Sequence, residues 1–316
     1  MIYNNLGSTK IKVSSIGFGS WQLGGEMNLG GLPLSYGKID EKKGREAIQY
    51  AIENGVNFFD TADIYGMGKS ERILGEELKD KRDKVIFCTK VGNVPDGLNG
   101  IMNDSSYEHI IASCNRSLSR LQTDYIDIYL LHFIPERNQI KEATDAFKEL
   151  VKQGKIKEYG ISVAMGVDKI PELSEHFNIF EGYYNLLIRN LESHFELIKE
   201  KGLGFIAASP LSRGILSGKD YQSHKFHNDD IRKNWQSSQK EWYETQEKKV
   251  EKFRELSKRW NIPLKNLAIS YLLSTGLVSS TIPGIKTKEE LEELLQSIEY
   301  LPLDKEKLNE INKIST

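Results

Sequence analysis

Apolar residues along the chain alternate between two spacings, one typical of strands and one typical of helices. Short apolar runs, such as VIFCT at residues 85–89 and IDIYLL at 126–131, are typical of buried strands. Elsewhere apolar residues recur every three or four positions, as on the stripe that contains Ile140, Phe147 and Leu150. The pattern predicts strands at residues 16–21, 57–59, 85–90, 125–132, 156–162, 178–185, 203–211 and 276–284.

Helices are predicted between these strands and after the last one. Their expected positions are residues 41–54, 69–80, 105–121, 139–152, 166–176, 190–201, 246–260, 263–274 and 287–298. Strict alternation of strands and helices favours a parallel sheet covered by helices. Eight such units in 316 residues favour a closed (β/α)8 TIM barrel over an open doubly wound sheet. We therefore predict an α/β fold with one barrel domain over residues 1–316.

Several segments fall outside this repeat. The stretches IYNNL and KIKVS, before the first barrel strand, predict an N-terminal β-hairpin, and residues 301–316 predict a final helix. The connections after strands 1 and 7, residues 22–38 and 212–245, are long, which predicts functional loops. We expect them to shape a substrate pocket and to close over a cofactor. The aromatic side chains available for such contacts are Trp21, Trp235 and Trp242.

Composition and charge argue against several classes of function. The chain is 39% hydrophobic and 28% charged, which is typical of a globular domain. A net charge of −2 gives no basic surface, so nucleic acid is not an expected partner. No apolar run reaches about 18 residues, so no membrane span is predicted. The first residues lack the apolar core of a signal peptide, and we expect a cytoplasmic protein.

The two cysteines, Cys88 and Cys114, are too few for a disulfide framework in a chain of this length. They are also too few for a cysteine-based zinc site. We expect a reducing compartment and no bound metal.

The predicted strands end in polar residues that can carry out chemistry. The segment GVNFFDTADIYG turns polar at Asp60 and then reaches Tyr65, and the following strands end at Lys90 and His132. In a barrel, the carboxyl ends of the strands share one face, where active sites form. Taken singly, each residue also has a structural interpretation: a helix cap, a packing aromatic, a solvated lysine and a satisfied histidine. All four at matching positions favour an active site.

These four side chains could polarise a carbonyl group and protonate it. An ammonium near a phenol favours the phenolate, so Lys90 would make the proton of Tyr65 easier to donate. Asp60 would keep Lys90 charged and in position, and His132 would orient the carbonyl oxygen by a hydrogen bond. Reduction also needs a hydride, which a nicotinamide cofactor supplies and no side chain does.

Eight motifs identify the chain more closely. They are FFDTADIYG (58–66), Lys90 after VIFCT, LLH (130–132), YGIS (159–162), YYNLLIR (183–189), ASPLSRGILSGK (208–219), FHNDDIR (226–232) and IPG (282–284). As an ordered set they resemble the aldo-keto reductases, particularly the bacterial members. The resemblance implies an NAD(P)H-dependent oxidoreductase that reduces an aldehyde or ketone to an alcohol. Its small-molecule carbonyl substrate would take a proton from Tyr65, supported by Asp60, Lys90 and His132.

The resemblance also implies where the cofactor binds. Ser162 would contact the nicotinamide carboxamide, the loop 209–214 would wrap the pyrophosphate, and Lys286 would meet the adenosine 2′-phosphate. The cofactor would be NADP(H), with NAD(H) as the alternative. The full set of expected cofactor contacts is Trp21, Ser162, Glu181, Ser209, Leu211, Arg213, Gly284 and Lys286.

Five positions depart from the pattern that the family usually shows. Val163 and Leu294 stand where asparagine is usual, Glu181 where glutamine is usual, Ala208 where an aromatic is frequent, and Glu290 where glutamine or arginine is usual. The carboxylate of Glu290 would weaken NADP(H) binding or shift the preference toward NAD(H), unless neighbouring residues compensate.

These departures keep other functions open. A barrel that has lost or altered nicotinamide binding could act as a redox-neutral acid–base enzyme, or as a regulatory or binding protein. A Schiff-base aldolase that uses Lys90 is a further alternative. It is disfavoured because Asp60 should keep that lysine charged, and a charged amine is not nucleophilic.

Overall fold

The computed structural model describes residues 1–29, 31–96, 100–219 and 226–315. The strands in this part of the chain are β1 Tyr3–Asn5, β2 Lys12–Ser14, β3 Phe18–Gly19, β4 Asn28–Leu29, β5 Leu32–Pro33, β6 Phe58–Asp60, β7 Ile86–Val91, β8 Asn93–Pro95, β9 Ile101–Asn103, β10 Ile126–Leu131, β11 Ile156–Ala164, β12 Ile179–Tyr183, β13 Gly204–Ala208 and β14 Ser280–Ile282.

The helices lie in the predicted segments, apart from one helix at residues 231–238 that was not predicted. The α-helices are α1 Glu41–Glu53, α2 Lys69–Leu78, α3 Tyr107–Leu121, α4 Ile140–Lys152, α5 Ile170–Leu173, α6 Phe195–Glu200, α7 Ile231–Ser238, α8 Lys240–Trp260, α9 Leu264–Ser274, α10 Lys288–Leu295 and α11 Lys305–Ser315. Short 3-10 helices include Trp21–Gly24 and Ser212–Ser217. Among the described residues, no helix has both the length and the apolar character needed to span a bilayer.

Eight strands form one parallel sheet that closes into a barrel. Their order is β14, β13, β12, β11, β10, β7, β6 and β3. Backbone hydrogen bonds connect the first and last strands of this order and close the barrel. Gly17 N donates to Thr281 O at 2.8 Å, and Gly19 N donates to Pro283 O at 2.9 Å. The predicted (β/α)8 barrel is confirmed, and its strand ends converge on one face.

Alternate residues of the strands pack on opposite sides of the barrel wall. Phe58 and Ile128 belong to an inner cluster, whereas their neighbours Phe59 and Tyr129 belong to the layer between strands and helices. The predicted N-terminal hairpin is present as β1 and β2. Leu6, in its turn, joins the inner cluster and packs against the start of β13. The hairpin therefore lies at the end of the barrel opposite the carboxyl ends of the strands.

The structure corrects several predicted boundaries. The first barrel strand spans only Phe18–Gly19 instead of residues 16–21, because its ladder to β6 covers two residue pairs. The hairpins β4–β5 and β8–β9 were not predicted. The connection 212–245 is long, as predicted, but much of it is helical. It contains Ser212–Ser217, α7 and the start of α8, and its residues 220–225 lie outside the described part.

Candidate active site

Lys90 forms the floor of the site together with Asp60. Its Nζ donates to Asp60 Oδ1 at 2.7 Å, to Asp60 Oδ2 at 2.6 Å and to the carbonyl oxygen of Thr61 at 2.9 Å. The Lys90 side chain is completely buried, and that of Asp60 is 4% exposed. Burial by itself lowers the pKa of Lys90, but the adjacent carboxyl groups, Asp60 first and then Glu181, raise it well above its ordinary value. Lys90 is therefore a fixed cation.

Tyr65 lies close to this pair, in the turn that follows β6. Lys90 Nζ is 5.4 Å from the centroid of the Tyr65 ring. The ring of His132, which follows β10, is 5.7 Å from the Tyr65 ring at an interplanar angle of 74°. The Trp21 ring stacks on the Tyr65 ring, with 6.0 Å between the ring centroids and an interplanar angle of 26°. The barrel thus brings all four predicted catalytic residues together.

Electrostatics keep the phenol of Tyr65 protonated and the imidazole of His132 neutral. Burial raises the pKa of Tyr65 above its ordinary value; Lys90 lowers it, and Asp60 and Glu181 raise it further. The predicted acidifying effect of Lys90 has the right sign, but burial and the two carboxyl groups outweigh it. Burial and the nearby ammonium lower the pKa of His132 well below its ordinary value.

Glu181 places a second carboxyl group against Lys90. Its side chain is 6% exposed, and its Oε2 lies 3.2 Å from Lys90 Nζ. Its Oε1 accepts a hydrogen bond from the Ser162 hydroxyl at 3.2 Å. Potential ligand atoms of Asp60, Cys88 and Glu181 lie within 4.8 Å of one another. The ammonium of Lys90 lies against both carboxyl groups, so this cluster already contains a cation.

A cavity of about 380 Å³ opens above these groups. Its walls include aromatic rings: Trp21 lies 4.7 Å from Tyr36 and 6.4 Å from Trp235, measured between ring centroids. The aliphatic residues that complete the wall are Met27, Leu34, Ile64, Ile101 and Ile231. The cavity therefore combines a polar floor with a largely apolar wall.

The two long connections meet at this cavity. Tyr36 and Asp230 form an antiparallel bridge, and Ile231 N donates to Ser35 O at 2.8 Å. Asp230 also caps α7, since its side chain accepts from Arg232 N. Helix α7, which carries Trp235, is thereby held against the connection that follows β3.

A second cleft of about 260 Å³ continues from this cavity. Five residues line both spaces: Gln22, Tyr36, Ser209, Arg213 and Gly284. In the loop after β13, Ser209, Ser212 and Arg213 have left-handed backbone angles, with φ of 52°, 47° and 60°. Such conformations are costly for residues other than glycine and are typical of functional loops.

The far end of the cleft contains two lysine–glutamate pairs. Glu290 Oε2 accepts from the backbone N–H of Lys286 at 2.9 Å, and Glu290 Oε1 lies 3.8 Å from Lys286 Nζ. Lys265 is paired directly with Glu293, because its Nζ donates to Glu293 Oε2. Both pairs line the cleft together with Leu294.

The predicted cofactor residues divide between the two spaces. Trp21, Ser162 and Glu181 line the cavity above Tyr65, and Leu211 and Lys286 line the cleft. Ser209, Arg213 and Gly284 line both. The unusual Ala208 lines the cavity, whereas Val163 is 3% exposed and packs beside Gly182.

Sequence reasoning missed some residues of the site. Tyr36 contacts both Trp21 and Trp235, and Lys265 lines the cleft, but neither stands at a strand end. Gln22 follows Trp21 and approaches Gly284 so closely that a Cβ there would lie 1.9 Å from its Nε2. The IPG motif was the available signal for this close approach.

Comparisons with known proteins agree with the barrel fold. The model of the aldo/keto reductase family matches residues 15–316. The aldo-keto reductase YhdN of Bacillus subtilis is 31% identical over 320 residues, which cover 99% of this chain and 93% of that protein. The holo form of aldo-keto reductase AKR11C1 from Bacillus halodurans superposes with a TM-score of 0.82 at 31% identity, covering 100% of this chain and 97% of that one. The glycerol dehydrogenase AKR11B4 from Gluconobacter oxydans shares the fold, with a TM-score of 0.82, 23% identity and coverage of 99% and 94%.

Proposed function

Because the chain belongs to the aldo/keto reductase family, we propose that it reduces an aldehyde or ketone to an alcohol with NADPH or NADH. One observation carries the proposal: the buried Asp60–Lys90 pair lies beside Tyr65 and His132 at the floor of a cavity of about 380 Å³. The apolar wall suits a small carbonyl compound, and the polar floor suits the oxygen of its carbonyl group.

Tyr65 is the proposed proton donor. Its phenol is protonated near neutral pH, as a general acid must be before the reaction. As negative charge develops on the substrate oxygen, the ammonium of Lys90 stabilises the phenolate that Tyr65 becomes. Asp60 keeps that ammonium fixed, and the neutral His132 can donate one hydrogen bond to the carbonyl oxygen. The dihydronicotinamide ring would supply the hydride.

The residues present fit a nicotinamide dinucleotide. The cavity and the cleft are continuous through Ser209, Arg213 and Gly284, which suits an elongated ligand. Glu181 Oε2 is buried and has no hydrogen-bond partner among the described residues, so it is available to bond to the nicotinamide carboxamide. Trp21, Ser162 and Leu211 would complete the contacts, Arg213 would meet the pyrophosphate, and Lys286 would lie at the adenosine end.

The far end of the cleft favours NADH over NADPH. The carboxylate of Glu290 already accepts from the backbone of Lys286 and stands near its ammonium. A dianionic 2′-phosphate placed there would compete with that carboxylate and be repelled by it. A ribose 2′-hydroxyl could instead donate a hydrogen bond to Glu290.

The substitutions at Val163, Glu181 and Ala208 support one competing function, a barrel without redox turnover that acts as an acid–base enzyme or as a binding protein. The aldolase alternative is disfavoured, because Lys90 is fully buried, charged and hydrogen-bonded to Asp60 and Thr61. Only a neutral amine could form a Schiff base.

Direct cofactor binding tests the proposal without a known substrate. Titration with NADPH and with NADH, followed by tryptophan fluorescence and by calorimetry, should give micromolar dissociation constants for at least one of them. The quenching should decrease in a Trp21→Phe variant, because Trp21 lines the proposed nicotinamide end. Absence of binding by either cofactor at millimolar concentration would contradict the reductase and support the redox-neutral barrel.

A further inference from the structure

Glu181 lies at the proposed nicotinamide end of the site, so any role for it there rests on the proposed function. Lys90 Nζ carries three protons, yet four acceptor oxygens lie within 3.2 Å of it: both of Asp60, that of Thr61 and Glu181 Oε2. Asp60 and Thr61 hold the three shorter contacts. Glu181 Oε2 is left without a hydrogen bond among the described residues, although it is buried.

The charge of this cluster would not balance if both carboxyl groups were ionised. One ammonium and one carboxylate, Lys90 and Asp60, compensate each other. A second carboxylate would leave an unpaired negative charge among side chains that are almost completely buried, which is costly. A proton on Glu181 would remove both the charge and the need of Oε2 for a donor.

We propose that Glu181 carries a proton at neutral pH and binds the nicotinamide carboxamide as a neutral carboxylic acid, so that cofactor affinity depends on this proton. A carboxylic acid offers one acceptor oxygen and one O–H donor. The glutamine that is usual at this position likewise offers an acceptor oxygen and an N–H donor. A carboxylate offers acceptors only and could not donate to the carbonyl oxygen of the carboxamide.

The surroundings of Glu181 support a retained proton. Burial raises the pKa of this carboxyl group above its ordinary value, the charge of Asp60 raises it further, and Lys90 opposes them only in part. Ser162 adds one hydrogen bond from a neutral hydroxyl. The titratable groups of this cluster come from several elements. They are Asp60 on β6, Tyr65 in the turn after β6, Cys88 and Lys90 on β7, His132 directly after β10, and Tyr183 on β12.

The first test is the pH dependence of cofactor binding in wild type and in Glu181→Gln. In wild type, the dissociation constant for NADH should rise by about tenfold per pH unit once Glu181 ionises. In Glu181→Gln it should stay flat over the same range, because glutamine keeps both hydrogen-bonding functions without a titration. Equal pH dependence in the two proteins would overturn the proposal.

The second test detects the proton itself without any cofactor. Infrared difference spectra of the free protein at neutral pH should show the C=O band of a protonated carboxyl group that Glu181→Gln removes. Asp63 is another buried carboxyl group, whose pKa is raised by burial to about 7, so Asp63→Asn serves as the matched control and should leave the Glu181 band in place. A spectrum without a band that depends on Glu181 would overturn the proposal.

The two tests separate this inference from the proposed function. If neither protein binds NADH or NADPH at any pH, the reductase proposal fails and the carboxamide contact fails with it. The infrared band still decides whether Glu181 is protonated. If the cofactor binds well and without pH dependence in both proteins, only the inference fails.

Discussion

Lysine–carboxylate pairs occur at both ends of the proposed cofactor site, and they differ in environment. Lys90 is completely buried and lies 2.6 Å from Asp60. Lys286 has a 40% exposed side chain, and its Nζ lies 3.8 Å from Glu290. The inner pair is a permanent part of the fold that fixes a charge beside Tyr65. The outer pair is a weak surface contact. In it, Glu290 is bound to the backbone N–H of Lys286 and lies near its ammonium, and a phosphate would need both of these groups.

Both ends depart from the family pattern, but at different kinds of position. All four expected catalytic residues are present around Lys90, and the departures there, Glu181 and Ala208, lie at expected cofactor contacts. Near Lys286, Glu290 and Leu294 replace the expected residues. We infer that the reaction is retained and that the preference between cofactors has changed.

Replacing each lysine by methionine should give the largest difference in stability between the two pairs. Lys90→Met leaves Asp60 buried without a partner, and we expect the free energy of unfolding to fall by about 3–5 kcal/mol. Lys286→Met, the matched control at the exposed end, should cost less than about 1 kcal/mol. Urea unfolding measures both values. Equal losses would show that burial does not separate the two pairs.

A double variant tests whether the loss of stability in Lys90→Met comes from the unpaired charge of Asp60 or only from altered packing. Asp60→Asn combined with Lys90→Met removes both charges, so it should regain part of the stability that Lys90→Met loses. Failure of the double variant to recover any stability would assign the loss to the missing side-chain volume of Lys90.

Asp63 is a carboxyl group with a buried oxygen but, unlike Asp60, without a lysine partner among the described residues. Its Oδ1 has no hydrogen-bond partner among the described residues, and burial, aided by Glu71, raises its pKa from 3.8 to about 7. Because the folded-state pKa is the higher one, the stabilisation is complete below the unfolded-state pKa and is lost as pH rises toward 7.

Asp63→Asn should therefore stabilise the protein at high pH. We expect a gain of about 2–4 kcal/mol in the free energy of unfolding at pH 8 and a smaller gain at pH 5, measured by urea unfolding. A gain that is the same at both values of pH would show that ionisation of Asp63 is not the cause.

The smallest expected effect lies at the exposed end. Glu290→Gln removes the charge near the proposed phosphate position, so NADPH should bind roughly fivefold more tightly, equivalent to about 1 kcal/mol, and NADH should change little. Glu292→Gln on the exposed face of α10 is the control and should alter neither affinity. An unchanged ratio of the two affinities in Glu290→Gln would exclude Glu290 as a determinant of cofactor preference.

The sequence was sufficient to predict the barrel and the meeting of Asp60, Lys90 and His132. Parallel strands of a closed barrel present their carboxyl ends on one face, so residues at strand ends become neighbours whatever their distance along the chain. The sequence could not predict that Glu181 contacts Lys90. That contact depends on strand stagger and side-chain rotamers, which leave no periodic signal.

Helix α7 also could not be predicted from the sequence. Ile231 and Trp235, four residues apart, are the apolar positions that face inward, and two residues make too short a stripe to predict a helix. The helix forms where Asp230 caps it and where its first residues bond to Ser35 and Tyr36. These are tertiary contacts between distant segments, and the same contacts bring Trp235 to the cavity.

The most direct test of the central claim is the turnover of Tyr65→Phe with a panel of aldehydes and ketones. We expect kcat to fall by about 10²–10⁴-fold while cofactor affinity is kept, because the variant lacks only the proton donor. Tyr129→Phe is the matched control: its hydroxyl is buried on β10 without a hydrogen-bond partner among the described residues, and its removal should leave kcat unchanged. Full activity of Tyr65→Phe would contradict the proposed mechanism.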